Sequence, residues 1–275
     1  MIPQAHITAW RSVAPWADDA QVEQDLVLSR AVVTLFADAD VSGKIALRGG
    51  TALYKLFITP GVRYSEDIDL VQTQAAPAGP LIDAIRAGLD PWLGKPTRDR
   101  AEGGFSLIYR FDSEIPPVRP LRLKIEVNTR EHFTVGGFQR LPLAISNPWF
   151  AGEARNVTYQ LDELMGTKLR ALYQRRKGRD LFDLWLCLER KLIRPERVVA
   201  CFQLYMEHES HPVSRAQFEQ NLCDKETDPG FLGDIAPLIR AGIEYDPAAA
   251  ARQVRSSLIA RLPGEPWRGE SAQSS

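Results

Sequence analysis

The residues best placed to do chemistry are Gly49-Gly50-Thr51 and, a short way on, Ser65-Glu66-Asp67-Ile68-Asp69-Leu70. Two glycines allow a sharp turn from strand to helix and let main-chain N–H groups come close to a ligand. A helix beginning near Thr51 points its unsatisfied donors and the positive end of its dipole at that turn, which suits a phosphate. Thr51 can cap that helix or add its hydroxyl. Strand alternation sends Asp67 and Asp69 to one face and Ile68 and Leu70 to the other. Carboxylates that close raise each other's pKa unless a cation neutralises them, and Mg²⁺ suits carboxylate and phosphate oxygens together. Taken singly, these are a capped Gly-Gly turn and a pair of surface acids. Their succession instead points to a metal-bound nucleoside triphosphate.

Further side chains fit the same chemistry. Leu121 to Asn128 alternates cleanly, with Leu123, Ile125 and Val127 on one face and Arg122, Lys124, Glu126 and Asn128 on the other. Glu126 is therefore a candidate third carboxylate for the metal, or simply the ion-pair partner of Lys124. Lys168 sits within the apolar stripe Leu161, Leu164, Met165, Leu169 and Leu172, where a lysine reaches either solvent or a counter-charge such as a nucleotide phosphate. The stretch holding Lys168, Arg170, Arg175, Arg176, Lys177 and Arg179 has no acid in it, and can contact triphosphate or an RNA backbone. Gly178 is expected to end one helix and Asp180 or Asp183 to open the next. Either aspartate can orient Lys168 or an arginine, or accept the proton of an attacking hydroxyl. Ser65 lies two residues before Asp67 and joins the nucleotide-contacting set, since a phosphate added there would repel the triphosphate. His208 and His211 lack zinc-protease spacing, and Pro212 follows at once.

These groups need a scaffold, and the chain is long enough to build one. Its 275 residues are 44% hydrophobic, and 34 Lys+Arg stand against 35 Asp+Glu. That balance excludes a polycation, so any nucleic-acid contact must come from a local patch. Three well-separated cysteines, Cys187, Cys201 and Cys223, fit reduced thiols and a cytoplasmic protein. No apolar run is long enough to span a membrane. Periodicity predicts a helix over 17–38, a strand over 45–48, a helix over 51–58, a strand over 67–71, a helix over 80–93, and strands over 105–111 and 121–128. Beyond about Val157 helical periodicity takes over, with helices over 161–174, 180–189, 195–207, 217–222 and 248–262, then a loose polar tail over 263–275.

The segments GGTALYKLF, YSEDIDLV, LKIEVN and KLRALYQRRKGRDLFDLW together resemble the AbiEii abortive-infection nucleotidyltransferase toxins, a branch of the polymerase-β-like superfamily. The resemblance runs from about Leu47 to Trp185. It implies an α+β fold, with a nucleotidyltransferase domain of mixed sheet over 1–157 and a helical C-terminal domain over 158–262. It also implies Mg²⁺ dependence, an NTP substrate, an RNA acceptor that in some members is tRNA, and a cognate antitoxin as partner. Carried over by match, Gly49, Gly50 and Thr51 hold the triphosphate, Asp67 and Asp69 bind metal, and Lys168 with Asp180 or Asp183 completes a site expected between the domains. Arg176 and Arg179 would steady phosphates, and Glu126 occupies the third-carboxylate strand of the wider superfamily. The expected activity is nucleotide transfer to an RNA 3′ hydroxyl, blocking translation. The rivals are transfer to a protein or small-molecule hydroxyl, and a catalytically silent binding module.

Overall fold

The computed structural model describes residues 2–101 and 103–269, apart from the side chain of residue 101. The chain divides into two compact units, residues 1–159 with 240–242, and residues 160–239 with 243–275.

The first unit is built on one seven-stranded sheet. Its strands are β1 (Ile45–Arg48), β2 (Asp67–Gln72), β3 (Thr97–Ala101), β4 (Gly104–Asp112), β5 (Pro120–Asn128), β6 (Phe138–Asn147) and β7 (Phe150–Tyr159), in the order β3-β4-β5-β2-β1-β7-β6. Pairings β1–β7 and β2–β5 are parallel and the others antiparallel, so the sheet is mixed. Four of these strands match the sequence expectation, while β3, β6 and β7 were not expected. The reason is local. β3 and β6 are the two edges, where a polar run such as Thr97-Arg98-Asp99-Arg100 and a proline, Pro142, are both tolerated.

Helices α1 (Gln4–Trp10), α2 (Asp19–Ala37), α3 (Ala39–Ser42) and α5 (Ala78–Leu93) accompany the sheet. In α2 the Asp18 carboxylate accepts the Ala20 N–H as N-cap, and Leu26, Val27, Leu28, Val32 and Val33 are buried. This helix packs on β2, β5, β6 and β7. It covers the face to which Ile68 and Leu70 contribute, which leaves the opposite face of β2 for its two aspartates.

The second unit is helical: α6 (Leu161–Gln174), α7 (Gly178–Glu189), α8 (Pro195–His208), α9 (Arg215–Glu226), α10 (Pro229–Gly233) and α11 (Pro247–Ser257). Its helix starts are well signalled, with a capping box at Ser214 and Gln217 and caps at Asp228 and Asp246. One expectation is corrected here. α6 ends at Gln174, and Gly178 opens α7 instead of closing α6. A Cβ at Gly178 would run into the Phe231 carbonyl, so α10's close approach is what requires glycine. In the segment expected to be a loose tail, Arg215 N–H donates to the Pro263 carbonyl and Trp267 N–H to Glu219. Residues 270–275 lie outside the described residues.

Candidate active site

The register of the three central strands collects the acids. Asp69 is opposite Arg48 on β1 and opposite Glu126 on β5, while Asp67 is opposite Lys124. Asp67, Asp69 and Glu126 therefore share one face of the sheet. Asp67 is half-buried, and its Oδ1 is buried with no hydrogen-bond partner. Burial, and then the charges of Asp69, Glu66 and Glu126, push its carboxyl up to about 7, with Lys124 pulling the other way. The two roles weighed for Glu126 coexist in part, because it lies on the carboxylate face and is also ion-paired with Lys124.

An orphaned carboxylate oxygen beside like charges is a fit for a divalent cation. Among the described residues no group of three or more His, Cys, Asp and Glu side chains could hold a metal by itself.

The glycine turn departs from expectation in one respect. The helix starts at Gly49 with Arg48 as its N-cap residue, two residues earlier than anticipated, and runs as α4 (Gly49–Ala52) into a π turn at Leu53–Phe57. Gly49 has φ of 73°, a left-handed conformation that favours glycine. Thr51 does not cap the helix. Its buried hydroxyl donates to the Asp67 carbonyl at 2.5 Å and lies 3.1 Å from Ser65 Oγ, from which it can accept, tying the helix to the strand that carries the acids. A Cβ on Gly50 would lie 2.7 Å from Arg63 Nη2 and 2.8 Å from Ser65 Oγ.

In the second unit, Lys168 Nζ contacts both candidate acids, Asp180 Oδ1 at 3.1 Å and Asp183 Oδ2 at 2.9 Å. Both carboxylates are fully buried, and the choice between them becomes a shared cluster. Asp180 also accepts from Arg175 Nε at 2.7 Å. Burial pushes its carboxyl up, but Lys168 and Arg175 together hold it below the usual carboxylate range. The basic stretch, free of acids in sequence, finds them in space. Arg170 pairs with Glu209, Arg176 with Asp228, and both Lys177 and Arg179 with Asp234. Arg176 and Lys177 remain more than half exposed, whereas Arg179 is held by Asp234 through Nε and Nη2.

Two charged residues were missed in the sequence. Arg48 Nη1 donates to Glu131 at 2.8 Å. Burial opposes its charge, but Glu131, Tyr159 and Asp69 hold it protonated. Its position immediately before the glycine turn was the available signal. Arg63 is 2% exposed, stacks 4.8 Å from the Tyr54 ring centroid and donates to the Tyr64 carbonyl. Nothing in its neighbours marked it.

A mixed sheet carrying a glycine turn at the end of one strand and paired acids on the next defines an α+β nucleotidyltransferase fold. The family model for the nucleotidyl transferase AbiEii toxin of type IV toxin-antitoxin systems matches residues 30–253, and the chain belongs to that family. No curated protein matches it. Among solved structures, MenT4, a nucleotidyltransferase toxin from Mycobacterium tuberculosis H37Rv, is similar over 96% of this chain and 91% of its own at 16% identity and a TM-score of 0.57, a likeness of fold. An antigenic nucleotidyltransferase-like protein from Paracoccidioides brasiliensis matches over 78% of this chain and 95% of its own, at 16% identity and a TM-score of 0.39. Among the described residues no helix is long and apolar enough to cross a membrane.

Proposed function

We propose that this toxin-family protein transfers a nucleotide from an NTP to an RNA 3′ hydroxyl, with tRNA as the acceptor and a cytoplasmic setting, and that a cognate antitoxin restrains it. The observation that carries the reading is the Asp67 carboxylate. It has an orphaned oxygen and a pKa near 7 beside Asp69 and Glu126, an arrangement that costs stability unless a cation resides there. Asp67 and Asp69 would hold Mg²⁺, with Glu126 at the margin of the same face. A bound divalent ion supplies charge neutralisation at the phosphates and activation of the attacking hydroxyl.

The chain's own residues do the positioning. Gly49 and Gly50 let main-chain N–H groups approach the triphosphate, and Thr51 fixes β2 against that turn while Ser65 lies beside it. Arg176 and Lys177 keep exposed cationic ends suited to phosphate, and Arg179 stands behind them on Asp234. Lys168, Asp180 and Asp183 enter the proposal as one charge-coupled group, with the lysine's ammonium group paired to both carboxylates. Incubation with each labelled NTP and total tRNA is expected to label the RNA and release pyrophosphate, and Asp69→Ala is expected to abolish both. Equal labelling by Asp69→Ala, or label found in protein in place of RNA, would overturn the reading.

A further inference from the structure

The first unit contains a cavity of about 400 Å³, a size typical of small-ligand sites. It lies on the α2 side of the sheet, since Asp25 and Ser29 of that helix line it, whereas Asp67 and Asp69 face the other way. Neither acid and neither glycine of the turn is in its wall, so a ligand here is separate from the nucleotide. The aromatic part of the wall is rigidly built. Trp10 and Trp16 are 4% and 5% exposed, and their Nε1 groups donate to opposite oxygens of the Asp25 carboxylate, at 2.9 Å to Oδ1 and 3.1 Å to Oδ2. One buried acid thereby fixes both indoles. Trp16 also meets Tyr64 edge to face, at 6.0 Å between centroids, and a Cβ on Gly61 would come within 3.2 Å of its ring. Flat apolar walls held in this way favour a flat apolar guest, because little ordering remains to oppose binding.

The polar part of the wall is richer in donors than in acceptors. Asp25 already accepts from both indoles and from Lys55 Nζ at 2.7 Å. Lys55, by contrast, gives one N–H to that carboxylate, and its ammonium has two more. Of the charged residues in the lining, Lys55 and Arg63 are cationic and Asp25 alone is anionic, so the wall carries a net positive charge. Tyr54 and Lys55 reach it from the π turn that follows α4, a local irregularity frequent at functional sites. We propose that the cavity is a second ligand site, which takes a small aromatic carboxylate. The ring lies against the two indoles, and the carboxylate accepts from Lys55. This site does not depend on the transfer reaction.

Calorimetric titration of the full chain with indole-3-acetate and with its uncharged amide, indole-3-acetamide, reads the two halves of the site. The carboxylate is expected to bind at least about tenfold more tightly than the amide, the difference of one charge-assisted contact. Lys55→Gln should abolish that preference and leave amide binding within about twofold of its original value, while Lys55→Arg, which keeps a cation beside Asp25, should retain the preference. Val13 is 49% exposed at the rim, so Val13→Trp obstructs the cavity where the fold has little at stake. It should weaken both probes by at least about tenfold. Saturating ATP with Mg²⁺ should change neither affinity. The proposal is overturned if the unaltered protein does not bind indole-3-acetate, or binds acid and amide equally. Binding untouched in Val13→Trp, with circular dichroism showing an intact fold, overturns it as well. So does competition by ATP, which would return the cavity to the nucleotide.

Discussion

Gly49 and Asp69 are so close that a Cβ on the glycine would overlap the aspartate's carboxylate oxygen. The turn and the acid pair are therefore one steric unit. Gly49→Ala must both strain a φ of 73° and displace Asp69, whereas Gly50→Ala presses on the movable ends of Arg63 and Ser65. Transfer assays are expected to find Gly49→Ala inactive at all Mg²⁺ concentrations and Gly50→Ala partly active. Equal activities in the two variants would show that the Gly49 contact does not set the position of Asp69.

Lys168 is expected to be as much a stability residue as a reactive one. Lys168→Met strips two fully buried carboxylates of a shared cation, a change of the kind that costs about 3–5 kcal/mol. Chemical denaturation should show a midpoint lowered accordingly, and adding Asp183→Asn should recover part of the loss by removing one of the two charges. A Lys168→Met protein of unaltered midpoint would mean that the cluster contributes nothing net.

The contrast between these two sites shows what the sequence could convey. The glycine turn and the acid pair were each legible from local chemistry, glycines at a strand end and alternation in Asp67-Ile68-Asp69, but the contact of Gly49 with Asp69 was not. The lysine cluster was half legible, since helical spacing put Lys168 on an apolar stripe but did not say that both aspartates would reach it. Least legible was the neutralisation of the arginine run, because Asp228, Asp234 and Glu209 lie far along the chain and only packing delivers them. Edge strands β3 and β6 were hidden for a related reason. Only one side of each must satisfy the sheet, so their residues escape the pattern that buried strands obey.

Arg48 is expected to govern how readily its neighbouring acids ionise. It is the register partner of Asp69 and contributes a positive charge that favours the carboxylate form. Arg48→Gln should remove the charge that favours ionised Asp69 and move the acidic limb of the pH–rate profile to higher pH, while Arg48→Lys should keep it near its original place. An unshifted limb in Arg48→Gln would assign Arg48 wholly to its pairing with Glu131.

The pH dependence of Asp67 follows from linkage. Its folded pKa, about 7, exceeds the unfolded value near 3.8, so the metal-free folded state holds the proton more tightly. That contribution to stability is fully present below about pH 4 and is lost as pH rises through about 7. Removing the charge should therefore help the fold where it is worst placed: Asp67→Asn is expected to raise the melting temperature of the metal-free protein at about pH 8, with a smaller gain at about pH 5, while abolishing transfer. A divalent cation must displace the same proton. Its affinity is expected to be level above about pH 7 and to fall by about tenfold per unit below it, as read by Mg²⁺-dependent thermal shifts across that range. A melting temperature of Asp67→Asn below that of the unaltered protein at about pH 8 would contradict the burial and ionic repulsion from which both expectations derive.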